Sequence, residues 1–210
     1  MKTCLITTIF TLFCVQAISQ DWFVQSKVGS GEKGYVVTHG GDTLHGTIMY
    51  NYPPVMARKI FFWEEGDDGN RQKFKGSDLK GFYFADTFWE SHEFNDGSLK
   101  LAASQKQELF LKPKMKGKLN VYEYYIAEIT DWVKYEDGVN KIMPTEMQTE
   151  ILMKKEGEDF VKLNDVRFFQ FKKGMSKYLA DCESVSKDIA DKKLKRAHLW
   201  DIFEKYNACD

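Results

Sequence analysis

Few residues in this chain could do chemistry, and their spacing limits what each set can do. His39, Asp42 and His45 offer three ligand types in one short stretch. A metal centre needs its ligands to converge on a single point. The surrounding segment, Gly34–Tyr50, reads as a β-hairpin turning at Gly40-Gly41, which sets His39 opposite Asp42, Val37 opposite Leu44 and Val36 opposite His45. That register sends His39 and His45 to opposite faces, so no metal site is expected. His92-Glu93-Phe94-Asn95-Asp96 begins like the zinc motif HExxH, but Asp96 stands where the second His belongs, and the stretch precedes a turn rather than lying on a helix. In Glu64–Lys75, Gly66 and Lys75 occupy positions where an EF-hand needs an oxygen ligand and a bidentate Glu. The chain has no G-x-S-x-G elbow and no Walker loop. No catalytic residue, metal ligand or cofactor is therefore assigned.

Aromatic side chains are the remaining candidates for binding. Trp63, Tyr83 and Trp89 stand in a region that also holds Phe82, Phe84 and Phe88. Adjacent aromatics in LKGFYFADTFW must occupy both faces of a strand, so some can face solvent and stack on a ligand such as a sugar. Core packing uses the same residues and is the competing reading. His198 sits beside Lys192, Lys193, Lys195 and Arg196 on what reads as a solvated helix face. Asp42-Thr43-Leu44 matches a short bacterial O-glycosylation pattern. Paired carboxylates for hydrolysis have a separation set by the fold, which the sequence does not give.

The elements that position these residues begin after an export signal. Lys2 gives a positive start, Leu5–Val15 an apolar run, and Ala17-Ile18-Ser19 a small-x-small cleavage site, so residues 1–19 read as a signal peptide with a mature start at Gln20. Phe13 directly before Cys14 does not suit lipoprotein processing. No later apolar run approaches the roughly 18 residues of a spanning helix. Cys4 and Cys14 leave with the signal, and Cys182 and Cys209 are expected to form a disulfide in an exported chain. A net charge of −1 with interspersed signs gives no electrostatic case for nucleic acid.

Between residues 20 and 163, short β-prone runs alternate with turn signals every eight to twelve residues or so. They include Lys59–Trp63, Arg71–Lys75, Leu79–Phe84, Phe88–Phe94, Ser98–Ala103, Glu108–Lys112, Lys118–Ile126, Glu128–Tyr135, Thr149–Lys154 and Asp159–Leu163, with Tyr52-Pro53-Pro54 as a break. The period changes near Asn164. Phe168, Phe171, Met175, Tyr178 and Cys182 form one helical stripe, capped by Asn164 or Asp165, and Leu199, Ile202, Phe203 and Tyr206 form another. The expected fold is α+β: an antiparallel β sandwich or barrel-like sheet over 20–163, then a disulfide-stapled helical segment over 164–210.

The pattern Gly34-Tyr35, Val37-Thr38, Gly41-Asp42-Thr43, Gly46 and Ile48 resembles that of exported proteins of Bacteroidota-type bacteria. Lys59-Ile60 with Phe62, Asp78-Leu79-Lys80-Gly81-Phe82, Gly117-Lys118-Leu119 with Tyr122-Glu123-Tyr124, and the tail Tyr178-Leu179-Ala180-Asp181-Cys182 with Tyr206-Asn207 and Cys209 extend the resemblance over most of the mature chain. Some similar proteins carry an added outer-membrane β-barrel, which is not expected of this chain. The resemblance implies an envelope or secreted protein, in the periplasm or at the cell surface, and carries over no active-site residue.

Three functions are expected in descending order. The first is a non-enzymatic envelope module that binds a protein partner or supports assembly. The second is a carbohydrate or small-ligand binding module using exposed aromatics such as Trp63, Tyr83 and Trp89. The third is a hydrolase with paired carboxylates.

Overall fold

The computed structural model of the chain describes residues 29–67, 69–94, 107–128, 131–134, 140–143, 146–165 and 170–209. The expected signal peptide over residues 1–19, the expected Ser98–Ala103 run with its Asn95-Asp96-Gly97 turn, and the expected Glu136-Asp137-Gly138 turn lie outside these residues. The described strands are β1 (Gly31–Thr38), β2 (Thr43–Met49), β3 (Lys59–Glu64), β4 (Gln72–Lys75), β5 (Leu79–Phe84), β6 (Thr87–Phe94), β7 (Gln107–Met115), β8 (Leu119–Glu128), β9 (Asp131–Lys134), β10 (Asn140–Met143), β11 (Glu146–Lys155) and β12 (Val161–Lys162). The helices are α1 (Pro53–Met56), α2 (Phe171–Tyr178), α3 (Glu183–Ala190) and α4 (Leu199–Asn207). Strands β9 and β10 pair only with each other, and the other ten form one sheet in the order β12-β11-β8-β7-β6-β5-β1-β2-β3-β4. Every pairing is antiparallel. Among the described residues the architecture is thus α+β: a ten-stranded open sheet that does not close into a barrel, and a separate β9–β10 pair.

Connectivity forces this sheet to curl. Strands β4 and β5 are four places apart in the sheet, which would be about 19 Å across a flat one. They are joined only by a 3₁₀ turn, Gly76–Asp78, which spans about 6–8 Å. The β1–β5 half must therefore roll until its ends approach. Inside the roll lies a core of Val36, Ile48, Ile60, Phe62, Phe82 and Phe110, with Trp89 beside them.

The first hairpin differs from the expected register by one residue. Val36 stands opposite Leu44, and Tyr35 opposite His45. The loop is three residues, His39-Gly40-Gly41, with Gly41 N–H donating to the Thr38 carbonyl at 3.0 Å and Gly41 at φ 101°. A type I turn closed by a left-handed glycine uses one residue more than a two-residue Gly-Gly turn. A one-residue slip turns a strand over. Val36 is therefore the buried residue of β1, while Tyr35 and Val37 lie on the outer face.

Pro53-Pro54 does more than break a strand: it starts α1, because proline's fixed φ suits a first helical turn. Pro113 lies within β7 beside a register shift, the kind of irregular position at which a strand tolerates proline. The long helical stripe is also interrupted. α2 begins at Phe171 rather than near Asn164 or Asp165, and Cys182 is the N-cap of α3. The three tail helices cover β8 and β11 over a second core of Leu119, Val121, Met153, Leu179, Phe203 and Tyr206. Lys155 Nζ pins them, donating to the Tyr178 carbonyl at 2.6 Å and to Asp181 at 2.5 Å, while the Tyr206 hydroxyl donates to the other Asp181 oxygen. The Cys182–Cys209 disulfide staples α3 to the end of α4, with Cα atoms 6.1 Å apart. No helix among the described residues is long and apolar enough to cross a membrane.

Candidate functional site

The rolled half leaves a seam where β3 and β4 come near β7. Two contacts pin it. Phe110 N–H donates to the Ala57 carbonyl at 2.8 Å, and Ser91 Oγ donates to the Gly76 carbonyl at 2.8 Å. An open cleft of about 580 Å³ lies along the seam, lined by Arg58, Lys59, Lys75, Ser77 and residues 107–109. The cross-strand register sets Lys59 directly opposite Lys75, and Phe61 opposite Lys73. Residues two apart on a strand share a face, so Lys59, Phe61, Lys73 and Lys75 form one outward surface. Arg71 adds to it, with its guanidinium 4.8 Å from the centre of the Phe61 ring.

This charge is not compensated. Lys59, Lys73 and Lys75 make no ion pair among the described residues. Like charges directly opposite on paired strands destabilise a sheet. Lysines on an edge strand do protect against edge-to-edge pairing. That role accounts for Lys73 and Lys75 on β4, but not for Lys59, which is one strand inward. A second cleft of about 490 Å³ lies against α2 and includes Lys155 and Asp181. Its charges differ in kind, because Lys155 is already paired with Asp181.

The third polar cluster joins Glu90, His92, Lys116 and Tyr122. One Glu90 carboxylate oxygen accepts from His92 Nε2–H at 3.0 Å, Lys116 Nζ at 2.5 Å and Tyr122 OH at 3.1 Å. Burial pushes this carboxyl up, but the hydrogen bonds from His92, Lys116 and Tyr122 outweigh it and hold the group at about 2. The Tyr122 hydroxyl is pushed upward by burial and by the Glu90 charge. At neutral pH the carboxylate is ionised, with three donors on one oxygen, and the phenol keeps its proton. The Glu90–Tyr122 contact ties β6 to β8.

Residues singled out by sequence are dispersed. Trp63 and Tyr83 are half-buried, whereas Trp89 is buried and stacks on Phe82, ring centres 5.5 Å apart. Tyr83 pairs with Phe88 and Phe82 with Trp89, so Tyr83 and Trp89 point to opposite sides of the sheet. On the outer side, Phe88, Tyr83, Tyr35 and His45 follow one another across four strands. The Tyr35 and Tyr83 rings are parallel within 4° at 5.1 Å. Rings stacked at strand spacing stand upright, so they offer solvent their edges and not the open faces a sugar stacks on. His39, in the loop, bonds the Ser77 carbonyl at 3.0 Å, while His45 packs on Tyr35. Among the described residues no group of three or more His, Cys, Asp or Glu converges. His92 lies on a strand, which removes the helical spacing of HExxH. His198 closes a 3₁₀ turn at Arg196–His198, and Thr43 is exposed at the start of β2.

Sequence reading missed the seam. Its one local trace is the alternating charge of Gln72-Lys73-Phe74-Lys75, which reads only as an exposed strand face. No protein-family model, no curated protein and no solved structure matches this chain.

Proposed function

We propose that the chain is an exported cell-envelope protein that acts as a non-enzymatic interaction module, with the cationic seam as its binding surface. The observation that carries this reading is the unpaired Lys59–Lys75 opposition beside an open cleft. A fold that keeps two like charges face to face, at a cost in stability, has them available for an anionic partner. The export signal and the resemblance to envelope proteins support the location.

Site-specific photo-crosslinking in intact envelopes tests the reading. A photoreactive residue at Ser77 of the tagged full chain is expected to trap one recurring partner, and the double reversal Lys59→Glu/Lys75→Glu to abolish that product. Equal trapping from a position on the helical tail, or persistence after the reversal, would count against the seam. N-terminal sequencing of the exported protein is expected to start at Gln20.

A further inference from the structure

Resting on the reading of the chain as exported, we propose that Thr43 is a modification site: its hydroxyl, recognised together with the Asp42 carboxylate, carries an O-linked glycan at the tip of the β1–β2 hairpin. Asp is followed by Ser or Thr at two places in the sequence, Asp42-Thr43 and Asp86-Thr87. Only the first continues with an aliphatic residue, Leu44, as the bacterial O-glycosylation pattern requires. The fold separates the two places further. Asp86 lies at φ 59° in the tight turn between β5 and β6 and accepts a hydrogen bond from the Tyr83 hydroxyl at 3.4 Å. Thr87 after it is half-buried and paired with Phe84. Asp42 and Thr43 are both exposed.

A transferase acting on a folded chain needs side chains that the fold does not itself use. The Thr38 hydroxyl is used: it accepts the Asp42 N–H at 3.2 Å, while the Asp42 carbonyl accepts the Thr38 N–H at 2.9 Å. These contacts fix the backbone at the tip. They leave the Asp42 carboxylate and the Thr43 hydroxyl with no hydrogen bond or ion pair among the described residues. Successive side chains on a strand point to opposite faces. Leu44 packs inward on the core opposite Val36, which turns Thr43 outward. β3 pairs with β2 only over Gly46–Ile48, and the next bond on that side runs from Glu65 N–H to the His45 carbonyl at 2.9 Å. Residues 42–44 thus project past their neighbour strand, and exposed loop tips are where processing enzymes reach a folded chain. A glycan is bulky and solvated, and this exposed position admits it without entry into the core. In the transfer, Thr43 Oγ attacks the anomeric carbon of a glycosyl diphosphate. The new C–O bond forms as the bond to the diphosphate oxygen breaks, the diphosphate leaves with the electron pair, and the hydroxyl proton passes to a base of an envelope glycosyltransferase.

Mass spectrometry of the tagged full chain, expressed in its source cell and purified from the envelope, tests this. The protein is expected to start at Gln20 and to exceed the mass of its sequence by one or more sugar residues, with electron-transfer fragmentation placing the added mass on Thr43. Thr43→Val should abolish the modification and Thr43→Ser should keep it. Asp42→Asn should remove most of it, which chance modification of an exposed hydroxyl does not predict. Thr87→Val should leave it unchanged. Fragmentation of the unaltered chain decides the site even where a variant fails to fold. An unmodified chain starting at Gln20, sugar on a residue other than Thr43, or full modification of Asp42→Asn overturns the proposal and leaves the export reading standing. An unmodified chain that keeps residues 1–19 overturns both.

Discussion

The carboxamide of Asn207 hydrogen-bonds both ways to the backbone of Leu119. Its oxygen accepts the Leu119 N–H at 2.7 Å, and its nitrogen donates to the Leu119 carbonyl at 3.1 Å. The last residue of α4 thereby stands in for a strand at the start of β8, where the ladder to β7 has not yet begun. Leu119 is fully buried, so its amide has no water to turn to. Asn207→Ala is expected to cost about 2–3 kcal/mol, the penalty of an unsatisfied buried amide plus lost bonds. Urea denaturation measures the loss, and hydrogen exchange should quicken at Leu119 while β1–β5 stay protected. Unchanged exchange there would refute the role.

Reduction of Cys182–Cys209 should free the tail before the sheet. The bridge closes a loop spanning 27 residues in sequence, for which the chain-entropy model gives about 3–4 kcal/mol. Exchange protection is expected to fall first in α3 and α4 under mild reductant. Two titratable thiols in the unreduced, unfolded protein would show that the bridge does not form.

Acid should act through Glu90. Its folded pKa of about 2 lies below the ordinary value of 4.5. A depressed carboxylate pKa contributes stability that is fully present above the unfolded pKa and is lost as pH falls through the folded one. The window is therefore between about pH 4.5 and 2, and the contribution is on the order of 2–3 kcal/mol. Glu90→Gln should lower stability at pH 7 and flatten its decline across that window. A parallel pH profile for the two proteins would contradict this.

Gly76 lies close against the β7 backbone across the seam. A Cβ at this position would collide with the Glu108 carbonyl and come within 3.0 Å of Leu109 N. Both are backbone atoms of β7 and cannot swing aside, so Gly76→Ala must spread the seam. The expected loss is about 1–3 kcal/mol, the usual cost of forced overpacking. Thermal melting reads the loss, and loss of the Ser91–Gly76 contact should speed exchange at residues 76–78. A melting temperature equal to that of the parent would rule out the clash.

The sequence by itself determined what local rules determine. Apolar alternation and turn residues located Leu79–Phe84, Phe88–Phe94 and Lys59–Trp63 to within a residue or two, because side-chain period and φ preference act over a few residues. The two cysteines left outside the expected signal peptide, Cys182 and Cys209, identified their own pairing. Steps of three and four marked the tail as helical, yet not the break before Cys182, since a stripe of buried residues can run across two helices packed on one sheet. Gly40-Gly41 announced a turn but not its length, and that one residue decided whether Val36 or Val37 faced the core. The tertiary structure alone decided the seam. Lys59, Lys75 and Glu108 are far apart in the chain and meet only because a three-residue turn makes the sheet roll. Curvature is a property of the whole sheet, summed over strands whose individual sequences carry no record of it.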